Sequence, residues 1–481
     1  MTYRELLAGN ADFRRLWAGQ VVSEVGDWLN NIAVLALAVQ LAAPGRVGLA
    51  VATYAIARHL PLFLFGPAAG VVVDRANRRR VMIAADLARA ALALGFLAAH
   101  RLGSLALIYA VGASLFSVSA FFNAAKRASI PNLVAGTEEL LAANSISAST
   151  TAATIAVGSA LGGVIATALG RDTVFVLNSL TFLASAEMIR RIRKLTGGRQ
   201  SAVGGGGDAA GDLTANEGGA AENLGPAGFG AAGGEVLQPS VQKRRGFFQT
   251  ACGLPPAAYS VLRRAAADFR EGLRYVRSDR VLTAVFVVSG GWGLGNGAAR
   301  ALYSLFGARL GGQAAVRWGA ALPSIAERPT DFGISVLFVA MGVGGVLGAP
   351  LARRVNSGAA EGLGARMGRS LTLDGCGLLL FSLTPNLFGA ASLLVAREMN
   401  YAIWWTSQQT LLMRRTHDAF AGRVFASYET LTTLTMVGSI LVSGAAADRV
   451  GIRAVAAGGG GVVILSGLLW FALRRRGGEK G

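Results

Sequence analysis

Twelve apolar stretches, most of them long enough to supply the roughly 20 residues that a helix needs to cross a bilayer, run through this chain of 481 residues. Their cores fall at 16–42, 47–73, 81–99, 103–123, 143–168, 172–189, 281–307, 333–352, 370–384, 386–412, 424–447 and 454–473. Backbone polar groups find no water in lipid, so such stretches must satisfy their hydrogen bonds internally as helices. The expected fold class is therefore an all-α membrane protein with twelve transmembrane helices. Composition agrees: hydrophobic residues make up 53% and glycine adds 65 more, while charged residues supply only 15%, against about 25% in soluble domains. A disordered chain is excluded, and a soluble globule is disfavoured.

The net charge of +19 rests on 46 basic residues whose positions carry the information. Alternate helix ends hold Arg4, Arg14, Arg15, Arg75, Arg78, Arg79, Arg80, Lys126, Arg127, Arg353, Arg354, Arg366, Arg369, Arg414, Arg415, Arg423, Arg474, Arg475 and Arg476. The opposite ends hold Arg46, Arg101, Arg171, Arg309, Arg317, Arg328, Arg449 and Arg453. That bias is the positive-inside pattern of an even number of spans with both termini in the cytoplasm. It predicts a multi-pass protein of the inner membrane, with lipid heads rather than nucleic acid as the partner of the basic faces.

Several chemistries find no residues here. Cys252 and Cys376 stand alone, and His59, His100 and His417 are far apart without metal-ligand spacing. No GxxxxGK[ST] phosphate cradle is present. The expectation is a protein that is not an enzyme and carries no metal or cofactor; any uphill work draws on energy stored elsewhere.

The opening MTYRELLAGNADFRRLW is polar and runs into a first span too long for a cleavable signal, so that span is expected to stay inserted. Residues 1–195 form one six-span unit and 281–476 a second, followed by a tail at 477–481. Between them, 196–258 is rich in glycine and alanine and is expected to be a disordered cytoplasmic linker. Residues 259–280 place Val261, Leu262, Phe269, Leu273 and Val276 near helical spacing with arginines between, which predicts an amphipathic helix on the membrane surface. Two halves of similar size suggest an internal duplication. The loop KRASIPNLVAGTEELLAANSIS after span four and RRTHDAFAGRVFASYETL after span ten echo each other. Glycines at helical spacing, Gly158, Gly162 and Gly163 in span five, Gly291 and Gly295 in span seven, Gly344 and Gly348 in span eight, mark close helix packing.

After span two the chain reads Gly66-Pro67-Ala68-Ala69-Gly70-Val71-Val72-Val73-Asp74-Arg75-Ala76-Asn77-Arg78-Arg79-Arg80, continuing to Asp86. This resembles the cytoplasmic loop signature of the major facilitator superfamily. Asp12-Phe13-Arg14-Arg15-Leu16-Trp17, Gly26-Asp27-Trp28, Arg58-x-Leu60-Pro61, Pro131 and Ala143-Asn144 are similar to the branch containing bacterial macrolide-efflux proteins and the enterobactin exporter. Span five departs from the superfamily's antiporters in having Ser159 where they have proline, and span four lacks an arginine often found there. The resemblance implies two pseudo-symmetric six-helix bundles, the major facilitator fold. It also implies a cytoplasmic gating motif of Gly70, Asp74, Arg75, Arg78, Arg79 and Asp86 that latches the halves together. Gly70 permits close helix approach, and Asp74 can cap a neighbouring helix or pair with arginine.

Charges at bilayer depth are costly, which makes them functional candidates. Asp27 and Glu24 lie one turn apart in span one; two carboxyls so placed in lipid are expected to hold a proton, as a coupling site requires. With Glu398 of span ten they are the proton-coupling candidates, and Arg58 of span two is the expected charge partner of Asp27. Arg89, three residues beyond Asp86, forms a local pair with it. Arg300, Asp374 and Glu429 complete the set. Trp28, Tyr401, Trp404, Trp405 and Gln408 are candidates for the wall of a substrate cavity.

The expected function is secondary active export of a small lipophilic or siderophore-like molecule by alternating access, driven by protons. Alternatives are a lysophospholipid flippase or a uniporter of the same fold, or a membrane sensor or assembly protein without transport. The expected partners are a small-molecule substrate, protons and membrane lipids, with the chain acting as a monomer.

Overall fold

The computed structural model describes residues 3–193, 267, 269–321, 323–356 and 362–476. Among them twelve helices of at least 20 residues follow the apolar stretches in order: Ala11–Leu41, Val47–Arg75, Arg78–Leu102, Leu105–Leu133, Gly136–Leu169, Arg171–Arg190, Arg280–Trp318, Pro329–Asn356, Leu363–Leu383, Leu387–Arg415, Asp418–Val450 and Ile452–Arg476. Ten are long and apolar enough to cross a membrane on composition alone. Spans nine and ten are diluted by Arg366, Arg369 and Asp374 and by Arg397, Glu398, Arg414 and Arg415.

Helix starts are written locally. The side chain of Asn10 accepts from the Phe13 amide at 2.9 Å, Asn77 caps Arg80 at 3.2 Å, Ser104 caps Leu107 at 3.3 Å, and Asn386 caps Gly389 at 2.7 Å. Each satisfies a backbone donor that the first helical turn leaves without a partner. Gly103, at φ 60°, takes the left-handed position that ends span three.

Within the first half, span one packs on spans five and six, span four on two and three, and span three on six. Adding six to every number gives the packing of the second half: seven on eleven and twelve, ten on eight and nine, and nine on twelve. The two halves meet through span five on eight and span eleven on two, again a pair related by the same shift. Two pseudo-symmetric six-helix bundles are thus built from one pattern of helix contacts. Outward apolar residues such as Val164, Leu180, Leu380 and Leu465 form the surface offered to lipid.

Glycine sets how close these helices come. A methyl on Gly158 would meet the Val25 carbonyl at 2.7 Å, and one on Gly162 would lie 2.8 Å from the Leu29 Cα, so span five rides directly on span one. A methyl on Gly163 would overlap Ser335, across the boundary between the halves. Gly344 and Gly348 do the same for span eight on span ten, against Val395 and Met399.

The linker at 196–258, residues 259–266 and 268 of the basic stretch, and the tail at 477–481 lie outside the described residues. The helical part at 269–278 is not a surface helix whose apolar face rests on lipid. Val276 is buried with Met367, Leu412 and Trp470, Tyr275 stacks on Phe420 at 4.6 Å, and Glu271 pairs with Arg423 at 2.6 Å. Helical spacing defined an apolar face, but the start of span eleven covers it.

Candidate functional site

Between the halves lies a cavity of about 330 Å³. Spans one, two, three, four and five wall it from one half, and spans seven and eight from the other. Its surface mixes Trp28, Tyr54, Phe116, Phe122, Tyr303 and Phe338 with charged side chains that are rare at this depth.

Asp27 faces the cavity, and the nearest cation is Arg89, with Nη1 3.9 Å from Oδ2. Arg89 is also bound to Asp86, and its guanidinium lies 4.0 Å from the Phe122 ring centre and 4.4 Å from that of Phe182. The expected pairing of Asp27 with Arg58 is not formed. Arg58 donates to Asn31 and stands 4.8 Å over the Trp28 ring and 4.9 Å over Phe116, a cation held between two π faces. Asp86 therefore serves inside the first half, where its side chain has no exposure, and does not face the second half.

Glu24 is the centre of a different cluster. It accepts from Gln20 at 2.8 Å, from Thr154 at 3.1 Å, from Thr151 at 3.3 Å and from Lys126 at 3.4 Å. Lys126 had the look of a loop charge because the apolar core of span four stops at 123. The helix runs on to Leu133 through Pro131, and that extension carries the lysine inside. Two further cavity residues, Asn31 and His59, had no distinguishing pattern in the sequence; His59 Nδ1 sits 2.8 Å from the Ala55 carbonyl.

The second half holds a matching cluster. Asn296 stands 16 residues into span seven, as Asp27 stands 16 residues into span one. Arg397 pairs with Asp374 at 3.0 Å, donates to Asn296 at 2.7 Å and contacts the Tyr303 hydroxyl, while Asn296 donates to Asp374 at 3.1 Å. Each half thus clamps one buried arginine between an acid of its third helix and a mid-helix residue of its first. The first half has two carboxylates around its guanidinium, whereas the amide of Asn296 leaves the second half with one.

Trp28 is in the cavity wall, 6.1 Å from Phe338 across the halves. Tyr401, Trp404, Trp405 and Gln408, expected beside it, are not among the lining residues. Trp404 is buried and stacks on Trp292 at 4.6 Å; Tyr401 stacks on Trp292 at 5.6 Å, and Gln408 donates to Ser289 at 3.3 Å inside the second half. Tyr401, Trp404 and Gln408 pack inward against span seven, which helical spacing alone does not reveal, while Trp405 is exposed beside Tyr428. Glu398 also stays outside the lining and packs toward span eight, where Gly344 leaves it room.

The two ends of the boundary between halves differ. At the end away from the Gly66–Arg80 loop, Arg171 binds Asp331 through two contacts of 2.9 and 2.8 Å. Asp448 caps span two by accepting from the Gly48 and Leu49 amides at 2.7 and 2.9 Å. Arg328 donates to the last carbonyls of span five, Ala166 and Thr167, at 3.1 and 2.7 Å. At the loop end the expected latch is unmade: Asp74 is exposed, with no hydrogen bond or ion pair among the described residues, and a methyl on Gly70 would meet no neighbouring helix within 4 Å. Arg75 is exposed as well, while Arg78 donates to the Ala128 carbonyl at 2.7 Å and Arg79 to that of Arg190, both within the first half.

Residues 8–201 match the family described as transmembrane secretion effector. Over 176 residues the chain is 31% identical to the uncharacterized MFS-type transporter YfiS of Bacillus subtilis, covering 36% of this chain and 40% of that one. It is 30% identical over 139 residues to the putative bacilysin exporter BacE of the same species, covering 29% and 34%. Against macrolide efflux protein A of Streptococcus pyogenes it is 35% identical over 79 residues, covering 16% and 19%. The matches thus span two fifths or less of these relatives' length. In structure the chain is similar to a bacterial homologue of the iron transporter ferroportin in an inward-facing state, with TM-score 0.60, 13% identity and coverage of 96% and 98%. It is also similar to the nucleoside transporter NupG, with TM-score 0.57, 12% identity and coverage of 96% and 99%.

Proposed function

We propose that this chain is a member of the major facilitator superfamily and a secondary active exporter of a small molecule, driven by inward flow of protons. The observation that carries this reading is the position of the cavity. It is walled by both halves, clamped at one end by Arg171, Asp331, Asp448 and Arg328, and free of its Asp74 latch at the other. A boundary tied at one end only is half of an alternating-access cycle; rocking the halves exchanges which end is tied.

The positive-inside bias assigns the Asp74 end to the cytoplasm, with both termini there and the protein in the inner membrane. The cavity then faces the cell interior, where an exporter loads. Secretion and efflux relatives support the outward direction.

Asp27 is the proposed coupling carboxylate, with Glu24 beside it. Protonation of Asp27 removes its attraction for Arg89, 3.9 Å away, and leaves Asp86 as that guanidinium's sole acidic partner at this site. The amide of Asn296 supports locating this exchange in the first half. The fold can bias an equilibrium between open-in and open-out states by whatever free energy separates the two protonation states.

Respiring everted vesicles test the proposal, with erythromycin, ethidium and carboxyfluorescein as probes. Uptake of a probe that vanishes with an uncoupler and in Asp27→Asn is expected. Flux that survives the uncoupler makes the protein a uniporter, and absence of flux for every probe removes the transport reading.

A further inference from the structure

Three arginines and a lysine line the cavity, and among the described residues two of the arginines have no carboxylate within 4.0 Å. Arg89 is paired with Asp86, and Lys126 with Glu24. Arg58, from span two, contacts Asn31 and the faces of Trp28 and Phe116, with Asp27 acting on it only from beyond 4.0 Å. Arg300, from span seven of the opposite half, lines the same space and makes no hydrogen bond or ion pair within 4.0 Å among the described residues. Both line the same cavity as His59. Asp27 is turned to Arg89, and Glu398, which interacts with Arg300 at longer range, stands outside the lining.

An arginine half-buried in a partly apolar cavity, with no carboxylate in contact, leaves a positive charge that an anion entering the cavity can balance. Two such cations on opposite halves also repel each other as the halves close. An anion between them balances the charge and removes the repulsion, and the planar forks of arginine suit the oxygens of a carboxylate or phosphate.

Resting on the transport reading above, we infer that the cargo is an organic anion with a flat apolar body. Its carboxylate or phosphate bridges Arg58 and Arg300, and its body lies against Trp28, Phe116 and Phe338. Binding draws the two halves together, since the anion screens the repulsion that otherwise holds the two cations apart. The empty cavity stays open, and the loaded one closes.

Calorimetric titration of the full chain in lipid nanodiscs tests this without requiring the protein to cycle. The probes are 2-naphthoate, 2-naphthyl phosphate and 2-naphthylmethylammonium, which share a ring system and differ in charge. One or both anions are expected to bind at least about tenfold more tightly than the cation, and the preferred anion separates a carboxylate from a phosphate cargo. Arg58→Gln and Arg300→Gln are each expected to lose about tenfold or more of the anion affinity, with Arg300→Lys retaining part of it.

Equal or tighter binding of the cation overturns the inference. So does binding of neither anion, or anion affinity unchanged in both glutamine variants. Should those variants fail to fold, the preference of the unmodified chain for anion over cation still decides. Proton-driven flux of ethidium without anion binding rejects the anionic cargo and leaves the exporter standing, whereas anion binding without flux does the reverse.

Discussion

Arg171, the first residue of span six, grips Asp331 near the start of span eight through Nε–Oδ1 at 2.9 Å and Nη2–Oδ2 at 2.8 Å. The pair crosses the boundary between the halves, and the Asp331 side chain has no exposure. A two-point contact of this kind fixes angle as well as distance. Such geometry suits the proposed gate, which must close in one register.

Breaking this clamp is predicted to open the far end. In a variant lacking Cys252 and Cys376, Leu35→Cys places a thiol in the cavity wall. A membrane-impermeant maleimide added outside intact cells is expected to label it slowly, and several-fold faster after Asp331→Ala. Removing one partner of a buried pair costs about 3–5 kcal/mol, enough to shift the balance between states. Exchanging the two residues, Arg171→Asp with Asp331→Arg, is expected to restore slow labelling; unchanged labelling in Asp331→Ala would refute the gate.

Asp27 and Asp86 share Arg89 yet are predicted to fail differently. Asp86→Asn strips Arg89 of its closest acid inside a sealed site, so thermal unfolding of the purified protein should move down strongly, consistent with a loss of about 3–5 kcal/mol. Asp27→Asn faces the cavity and should leave the melting temperature near that of the unmodified chain while abolishing proton-dependent flux. Equal melting temperatures for the two variants would show that the triad does not divide in this way.

Gly158→Leu is predicted to force span five off span one, because its first side-chain carbon already meets the Val25 carbonyl at 2.7 Å. Overpacking of this sort costs about 1–3 kcal/mol, read as a lower melting temperature. Gly70→Ala, where nothing lies within 4 Å, should leave the melting temperature alone. If Gly70 closes against the other half only in the outward-open state, flux should fall while stability does not.

Tags at the two termini are predicted to be equally protected from protease added outside intact cells and equally cleaved in everted vesicles. Opposite behaviour of the two tags would mean an odd number of crossings and would undo the assignment of the Asp74 end to the cytoplasm.

Much of the architecture was written in one dimension. Hydropathy marks ten of the twelve spans outright and the other two despite their charges, Asn10, Asn77, Ser104 and Asn386 mark where helices begin, and glycine spacing marks where they touch. Residue roles were less legible. Lys126 read as a loop charge because its span continues past the apolar core, and Tyr401, Trp404 and Gln408 read as cavity wall because helical spacing gives a face without saying what that face meets. Arg58 was expected on Asp27 since adjacent spans are natural neighbours, whereas Asn31 and two aromatic faces reach it first.

Lipid as solvent explains the division. Exclusion of water compels helix formation locally, and the cost of moving arginine across the bilayer orients the spans, so both can be derived from the order of residues alone. Contacts between spans have no such one-dimensional rule: in lipid they depend on surface shape, and shape exists only once the helices are packed. That Arg89 joins Asp27 to Asp86, that Asn296 takes the matching place in the other half, and that Arg58 and Arg300 come to one cavity from residues far apart in the chain are consequences of packing.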